Sequence, residues 1–193
     1  MGFGNIEAQL MTAPPYIAGA ICSIVFSQLS DRYNWRMPFV VGPFCLILIS
    51  FSIMISLRGE LESNLGAAYS AAVIACMGIY PAMPALTSWA ANNLAPASRR
   101  AVGLALNLSF GNCGGIMGSY MYFDREAPVY STGFGLNLAF AASGLLMALA
   151  VEWALKWGND KKAKMSEEEI RAKWSHDQLM RLGDKSPFFK YTL

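Results

Sequence analysis

Charge is missing from most of this chain. No Asp, Glu, Lys or Arg lies between Glu7 and Asp31, between Arg36 and Arg58, or between Glu62 and Arg99. The same is true between Arg100 and Asp124 and between Glu126 and Glu152. These uncharged runs hold 23, 21, 36, 23 and 25 residues. A helix needs about 20 apolar residues to cross a ~30 Å hydrocarbon core, so each run is long enough to span a bilayer. An ionised side chain at the bilayer centre costs at least about 2.5 kcal/mol, and a lipid solvent demands this kind of clearing. A water-soluble domain would be about 25% charged; this chain is 15% charged. The pattern predicts an all-α fold, a polytopic transmembrane helix bundle.

Other absences narrow the chemistry. There is a single histidine, His176, and no spaced His/Cys/carboxylate set, so no metal site is expected. No Ser-His-Asp set and no glycine-rich phosphate loop opens a helix, so neither an enzyme nor a cofactor is expected. The four cysteines (Cys22, Cys45, Cys76, Cys113) all lie within apolar runs and form no CxxC pair, which marks them as small packing residues. A net charge of +2 gives no case for nucleic-acid binding. Residues 1–11 carry no basic region followed by a short apolar segment and cleavage site, so insertion is expected to depend on the spanning helices.

The charges that remain divide the chain. Residues 1–155 carry 13 of the 28, with a net of −1, whereas the last 38 residues carry 15, with a net of +3. This predicts a transmembrane bundle over 1–157 and a cytoplasmic tail over 158–193. Five helices are expected at about 12–30, 37–57, 66–90, 101–122 and 132–156. The 36-residue run is too long for one simple span; its far end, with Asn92, Asn93, Pro96 and Ser98, reads as a helix end and loop. The connections holding Arg32 and Arg36, then Arg99 and Arg100, then Lys156, Lys161, Lys162 and Lys164 share one side if there are five spans. The other side (1–11, 58–64 and 123–131) has two Arg and five acids. The positive-inside rule then places the N-terminus outside and the C-terminus in the cytoplasm. In the tail, Ser166 before Glu167, Glu168 and Glu169 makes a capping box. Ile170, Trp174, Leu179 and Leu182 give a partial apolar stripe ending at Gly183, so a short amphipathic helix is expected at 166–182.

Several polar or helix-breaking residues stand out against the apolar background. The loop Ser30–Arg36 joins two helices so tightly that Asp31 and Arg36 can pair; it reads equally as a plain positive-inside loop. In the third helix Gly78, Pro81 and Pro84 lie around Tyr80. Each proline removes a backbone hydrogen bond and predicts a kink or break, either as a packing feature or as the wall of a cavity. Pro14 and Pro15 are expected in the first turn of their helix, where proline is tolerated. The fourth helix carries overlapping GxxxG pairs, Gly111 with Gly115 and Gly114 with Gly118, which suit close helix packing. Asn107 and Asn112 are amides that must find partners or line a polar path. Trp89, Asn92 and Asn93 sit at the inner end of the third helix, where a tryptophan ordinarily joins the interfacial belt.

Together these segments resemble a known group. Ser30-Asp31-Arg32 followed by Arg36 resembles the loop motif of the major facilitator superfamily, in the copy joining its eighth and ninth helices. Ala8–Tyr16, Ile79–Ala85, Trp89–Leu94, Arg100-Ala101 with Gly111-Asn112 and Gly115, and the ending Leu182–Leu193 are similar to fungal anion:cation symporters, the allantoate, nicotinate, pantothenate and biotin permeases. The resemblance implies a twelve-helix fold of two halves, of which these five helices match the last five. It implies a proton-coupled symporter of small organic anions or vitamins, embedded in the plasma membrane and present here as a C-terminal portion. It assigns Asp31, Arg32 and Arg36 to a gating loop, and makes Tyr16, Tyr80, Trp89, Asn93, Asn107 and Asn112 candidates for a substrate cavity. A cavity shared between two halves would need a missing N-terminal half or partner helices. The competing expectation is a non-transporting truncated membrane protein that packs against partner helices.

Overall fold

A computed structural model describes residues 5–33, 35–57, 63–127 and 129–193. Arg58, Glu60 and Glu62, three of the charges that enter the orientation argument, lie outside the described residues, as does Asn34 in the 30–36 loop. Five long helices follow one another: α1 Asn5–Tyr33, α2 Met37–Ser56, α3 Leu65–Asn93, α4 Ala97–Tyr120 and α5 Ser131–Lys162. Two short ones, α6 Glu167–Lys173 and α7 His176–Leu182, complete the tail. No strand occurs among the described residues, and the fold is an all-α bundle.

Among the described residues, four helices are long and apolar enough to cross a membrane: α1, α2, α3 and α5. Helix α4 occupies the place of the fourth expected span but falls short of that apolarity. Its sequence begins with Arg99 and Arg100 and includes Asn107, Asn112 and five glycines. At about 1.5 Å per residue, the 32 residues of α5 reach about 48 Å, well beyond the hydrocarbon core. Its last turns therefore leave the apolar zone, with Trp153 and Trp157 72% and 63% exposed as an interfacial belt would place them.

Three expectations need correction. Helix α1 begins at Asn5, so Pro14 and Pro15 lie inside it rather than in its first turn. Of the kink or break expected in α3, the break does not occur, and the helix is continuous through Pro81 and Pro84. Pro81 is fully buried, so neighbouring helices rather than lipid surround the lost hydrogen bond. Packing against protein of this kind is what lets proline persist in membrane helices. The third correction concerns the tail, where the single helix expected at 166–182 is two. The Ser166–Glu169 capping box is present, but α6 ends at Lys173 with Trp174 extended. The Ser175 N–H then donates to Gln178 Oε1 (3.0 Å) and starts a new helix. Ser175 competes for the backbone as a second cap, which a mid-helix serine is chemically equipped to do.

Helix α3 is the hub, touching α1, α2 and α4, while α5 packs on α2. The α2–α3 seam is built from small residues. Ala68 and Ala71 are fully buried, and the Ser50 hydroxyl donates to the Ala71 carbonyl across the seam (2.7 Å). A Cβ on Gly78 would lie 2.8 Å from the Pro43 carbonyl oxygen and 2.7 Å from Ile47 Cγ1. On the α1 side, a Cβ on Gly19 would meet the Tyr80 ring at 2.6 Å. On the α5 side, Gly144 faces Phe44 in the same way. Val40, Trp89 and Ala148 form the buried cluster at one end, with Phe44, Ala85, Leu86 and Leu155 around it.

The α4–α5 corner solves a capping problem. Tyr130 takes the N-cap position of α5 with φ 44 and offers no side-chain cap. Glu126 supplies it instead, accepting from the Thr132 N–H (2.9 Å) and from the Thr132 hydroxyl. Those two hydrogen bonds, the hydroxyl first, hold the Glu126 carboxyl below its ordinary value.

Gly78→Ala should destabilise the bundle by about 1–3 kcal/mol, since a backbone carbonyl cannot yield to the new methyl; Gly66→Ala, with nothing within 4 Å, should be near neutral. Denaturant unfolding in micelles compares the two. A depressed folded-state pKa stabilises above the unfolded value and loses that contribution as pH falls through the folded one. Wild type should therefore melt above Glu126→Gln at pH 7, and the gap in Tm should close on acidification below the ordinary value near 4.5.

Candidate functional site

The polar groups of the chain gather at one end of the bundle, where α1 meets α2, α3 meets α4, and α5 runs into the tail. Arg36 donates through Nη1 to Asp31 Oδ1 (2.5 Å) and to the Ser30 hydroxyl (3.1 Å). The loop thus closes on itself, as the spacing of Asp31 and Arg36 allows. The Arg36 side chain is 17% exposed and Asp31 69% exposed. Arg36 Nε is buried with no hydrogen-bond partner among the described residues. Arg32 is exposed and stands outside this pair.

Over the same end lies the last stretch of the chain. The Arg36 backbone N–H donates to the Leu193 oxygen (2.7 Å). Trp89 Nε1 and Asn93 Nδ2 both donate to the Thr192 carbonyl (3.0 Å each), and the Thr192 N–H donates back to Asn93 Oδ1 (2.8 Å). Asn159 on α5 repeats the arrangement one residue earlier. Its Nδ2 donates to the Tyr191 carbonyl (2.9 Å) and its Oδ1 accepts from the Tyr191 N–H (2.8 Å). Lys162 Nζ donates to the carbonyls of Asp184 and Phe189 and lies 3.7 Å from the Tyr191 ring centroid, a cation–π contact. Burial, and then the Asp184 carboxylate, push the Tyr191 phenol above its ordinary value. Arg99 pairs with Asp184 (3.0 Å). Gly183 adopts φ +60, and a Cβ there would collide with the Ala95 carbonyl, so glycine is required twice over at this turn. The basic residues of the 30–36, 91–100 and post-α5 segments therefore share one end of the bundle.

The six cavity candidates separate into three places. Tyr16 and Tyr80 come together, their rings edge to face with centroids 5.9 Å apart, and both stay about half exposed on the α1–α3 surface. Trp89 and Asn93 sit beneath the tail, with Trp89 only 5% exposed. Asn107 and Asn112 are exposed along α4. Of the packing candidates, Pro81 is buried and Pro84 exposed. Gly111 reaches Met83 of α3 at 3.8 Å, while Gly114, Gly115 and Gly118 have open space where a Cβ would be. Asn159 and Tyr191 were not marked as site residues by the sequence pattern, and Lys162 was marked only as a topology-setting cation. The signal available was the alternation of Phe189, Tyr191 and Leu193 with polar residues, apolar content that a solvated tail does not need. Glu152 also shares the inward face of α5 with Ala148 and Leu155, and its Oε2 is buried without a hydrogen-bond partner among the described residues.

Long apolar helices joined by tight polar turns, with the cations collected at one end, define a multi-pass integral membrane protein. Its similarity to named proteins extends over the whole chain. The chain is 34% identical over 193 residues to the high-affinity nicotinic acid transporter of Saccharomyces cerevisiae, covering 99% of this chain and 35% of that protein. It is 29% identical to the MFS-type transporter cnsO of Penicillium expansum, over all of this chain and 38% of that one. It is 22% identical to the major facilitator-type transporter hxnP of Emericella nidulans, over all of this chain and 39% of that one. The chain is thus similar over its whole length to part of several major facilitator-type transporters. It spans a little over a third of the length of these relatives. No family model matches the chain, and no solved structure matches it.

Because Asp31 is largely solvent-exposed, its ion pair contributes at most about 1 kcal/mol. Asp31→Asn should therefore lower stability by less than that, with the loss fading at high salt; unfolding titrations at two ionic strengths check both points.

Proposed function

We propose that this chain is the C-terminal portion of a secondary active transporter that carries small organic anions or vitamins with protons. The observation that carries the reading is the match of the whole chain to named transporters, one of them for nicotinic acid. The working unit would alternate between two facing states by rocking of two helical halves. Asp31 and Arg36 would stabilise one of these states by closing the α1–α2 turn, with Arg32 on the same loop. Tyr16 and Tyr80 are the best-placed residues to meet a substrate, because they lie together on an open face, and Asn107 and Asn112 would contribute polar groups from α4. Trp89 and Asn93 are engaged with the tail and serve that end instead. Cations cluster at the end bearing the tail, which favours a cytoplasmic C-terminus and an external N-terminus in the plasma membrane.

A second reading is a truncated membrane protein that binds partner helices without transporting. The open glycine face of α4 favours it. Uptake of labelled nicotinate by cells expressing the chain alone separates the two. Uptake above empty vector that collapses with the proton gradient supports autonomous symport. Background uptake despite delivery to the membrane sinks it, and recovery on co-expressing the N-terminal half of a relative would favour the fragment reading.

A further inference from the structure

The contacts made by residues 184–193 are of an unusual kind for a tail. Tyr191 and Thr192 each have both main-chain polar groups paired, and every partner is a side chain of the bundle: Asn159 for Tyr191, and Asn93 with Trp89 for Thr192. A primary amide has two N–H donors and a carbonyl acceptor, and one of those donors together with the acceptor matches the spacing of a peptide group. Two asparagines on different helices therefore present the edge of a short strand. The groove reads main chain, and register is set by the flanking anchors. Lys162 lies against the Tyr191 ring and takes two carbonyls, Ser186 is buried, and Asp184 pairs with Arg99 while its N–H donates to Ala95. Lys190–Leu193 also form one wall of a cavity of about 740 Å³, whose other lining includes Trp35, Arg36 and Arg100.

The attachment points lie on separate elements: the start of α2 through Arg36, the end of α3 through Trp89 and Asn93, and the end of α5 through Asn159 and Lys162. Those helix ends surround the buried Val40, Trp89 and Ala148 cluster. They cannot move apart while one extended peptide is bonded to all of them.

We propose that the ends of α3 and α5 form a docking groove for an extended peptide. Its occupant is the chain's own segment 184–193, which acts as a strap holding this end of the bundle shut. Opening of this end requires the strap to leave the groove. The inference concerns the folded chain and stands whether or not the chain transports by itself.

Hydrogen–deuterium exchange on the whole chain in nanodiscs tests docking. Alkylation of a cysteine placed in the buried cluster by Ala148→Cys, read by peptide mass, tests opening. In the otherwise unaltered chain the Tyr191 amide should exchange at least about ten-fold more slowly than in the free peptide 184–193. Asn159→Ala should bring it to the free-peptide rate and raise alkylation at position 148 about five-fold or more. Thr192→Pro removes the N–H that Asn93 accepts without touching the bundle, and should do the same, so a folding defect in the asparagine variant leaves the test intact. A Tyr191 amide exchanging at the free-peptide rate in the unaltered chain would overturn docking. Unchanged alkylation in variants whose tail has come free would overturn the strap.

Discussion

Gly78 lies against the Pro43 carbonyl, and the rest of the bundle depends on that close approach. Between helices in lipid no hydrophobic force acts, because acyl chains are as apolar as leucine; association rests on tight van der Waals contact and the occasional interhelical hydrogen bond. The α2–α3 seam has both. Glycine and alanine let the backbones meet, and Ser50 donates to the Ala71 carbonyl in a fully buried position. Helix α1 is then placed by the Gly19–Tyr80 contact on the far side of α3, and α5 by the Gly144–Phe44 contact on the far side of α2. Separate α2 from α3 and the other two lose their common frame.

Helix α4 shows the opposite case. Its glycines are as well spaced for packing as those of any membrane dimer, yet Gly114, Gly115 and Gly118 face open space. The helix is held at its beginning, where Gly103 lies close to Leu94, and at Gly111 near Met83. Spacing of small residues permits close approach and does not supply a neighbour. Asn107 and Asn112 sharpen the point. An amide left in hydrocarbon without a partner costs several kcal/mol, so lipid alone does not complete this surface. The proposed reading of the chain as part of a longer bundle accounts for this in a way that an isolated five-helix protein does not.

The helices were legible because charge is costly in lipid, and its absence leaves an unmistakable record in the sequence. The same rule placed Arg36, Arg99 and Lys162 at a common end. The failures also have physical causes. Proline was expected to kink or break α3, and no break occurs; its cost depends on what surrounds the orphaned carbonyl, and burial of Pro81 is a tertiary fact. The split at Ser175 turned on a competition between continuing α6 and starting anew, which a weak apolar stripe could not decide. Trp89 and Asn93 stood out for their chemistry, yet their partners lie about a hundred residues away and are main-chain atoms, which have no sequence signature. Asn159, amid the charged residues ending α5, looked like part of a solvated face for the same reason. Tyr16 and Tyr80 were named as candidates for one cavity and do touch, and the six candidates lie in three places on this chain.

The cations at the end of the bundle carry two meanings at once. Read as topology, arginine and lysine mark the side that stays in water. Read as structure, Lys162 binds tail carbonyls, Arg99 binds the tail carboxylate of Asp184, and Arg36 closes its own loop while its backbone holds Leu193. Helix ends explain why the two meanings coincide. Their last carbonyls and first amides lack intrahelical partners, and the helices that can leave lipid only there must satisfy those groups at the same boundary where charge becomes affordable. A tail that pairs its own backbone with side chains from that boundary uses donors and acceptors which the membrane has already concentrated there. The tryptophans exposed as a belt requires are Trp153 and Trp157 on α5, the latter with Lys161 Nζ over its ring at 5.7 Å. Trp89 is released from the interface to anchor the tail because a peptide, rather than water or headgroups, meets its indole N–H.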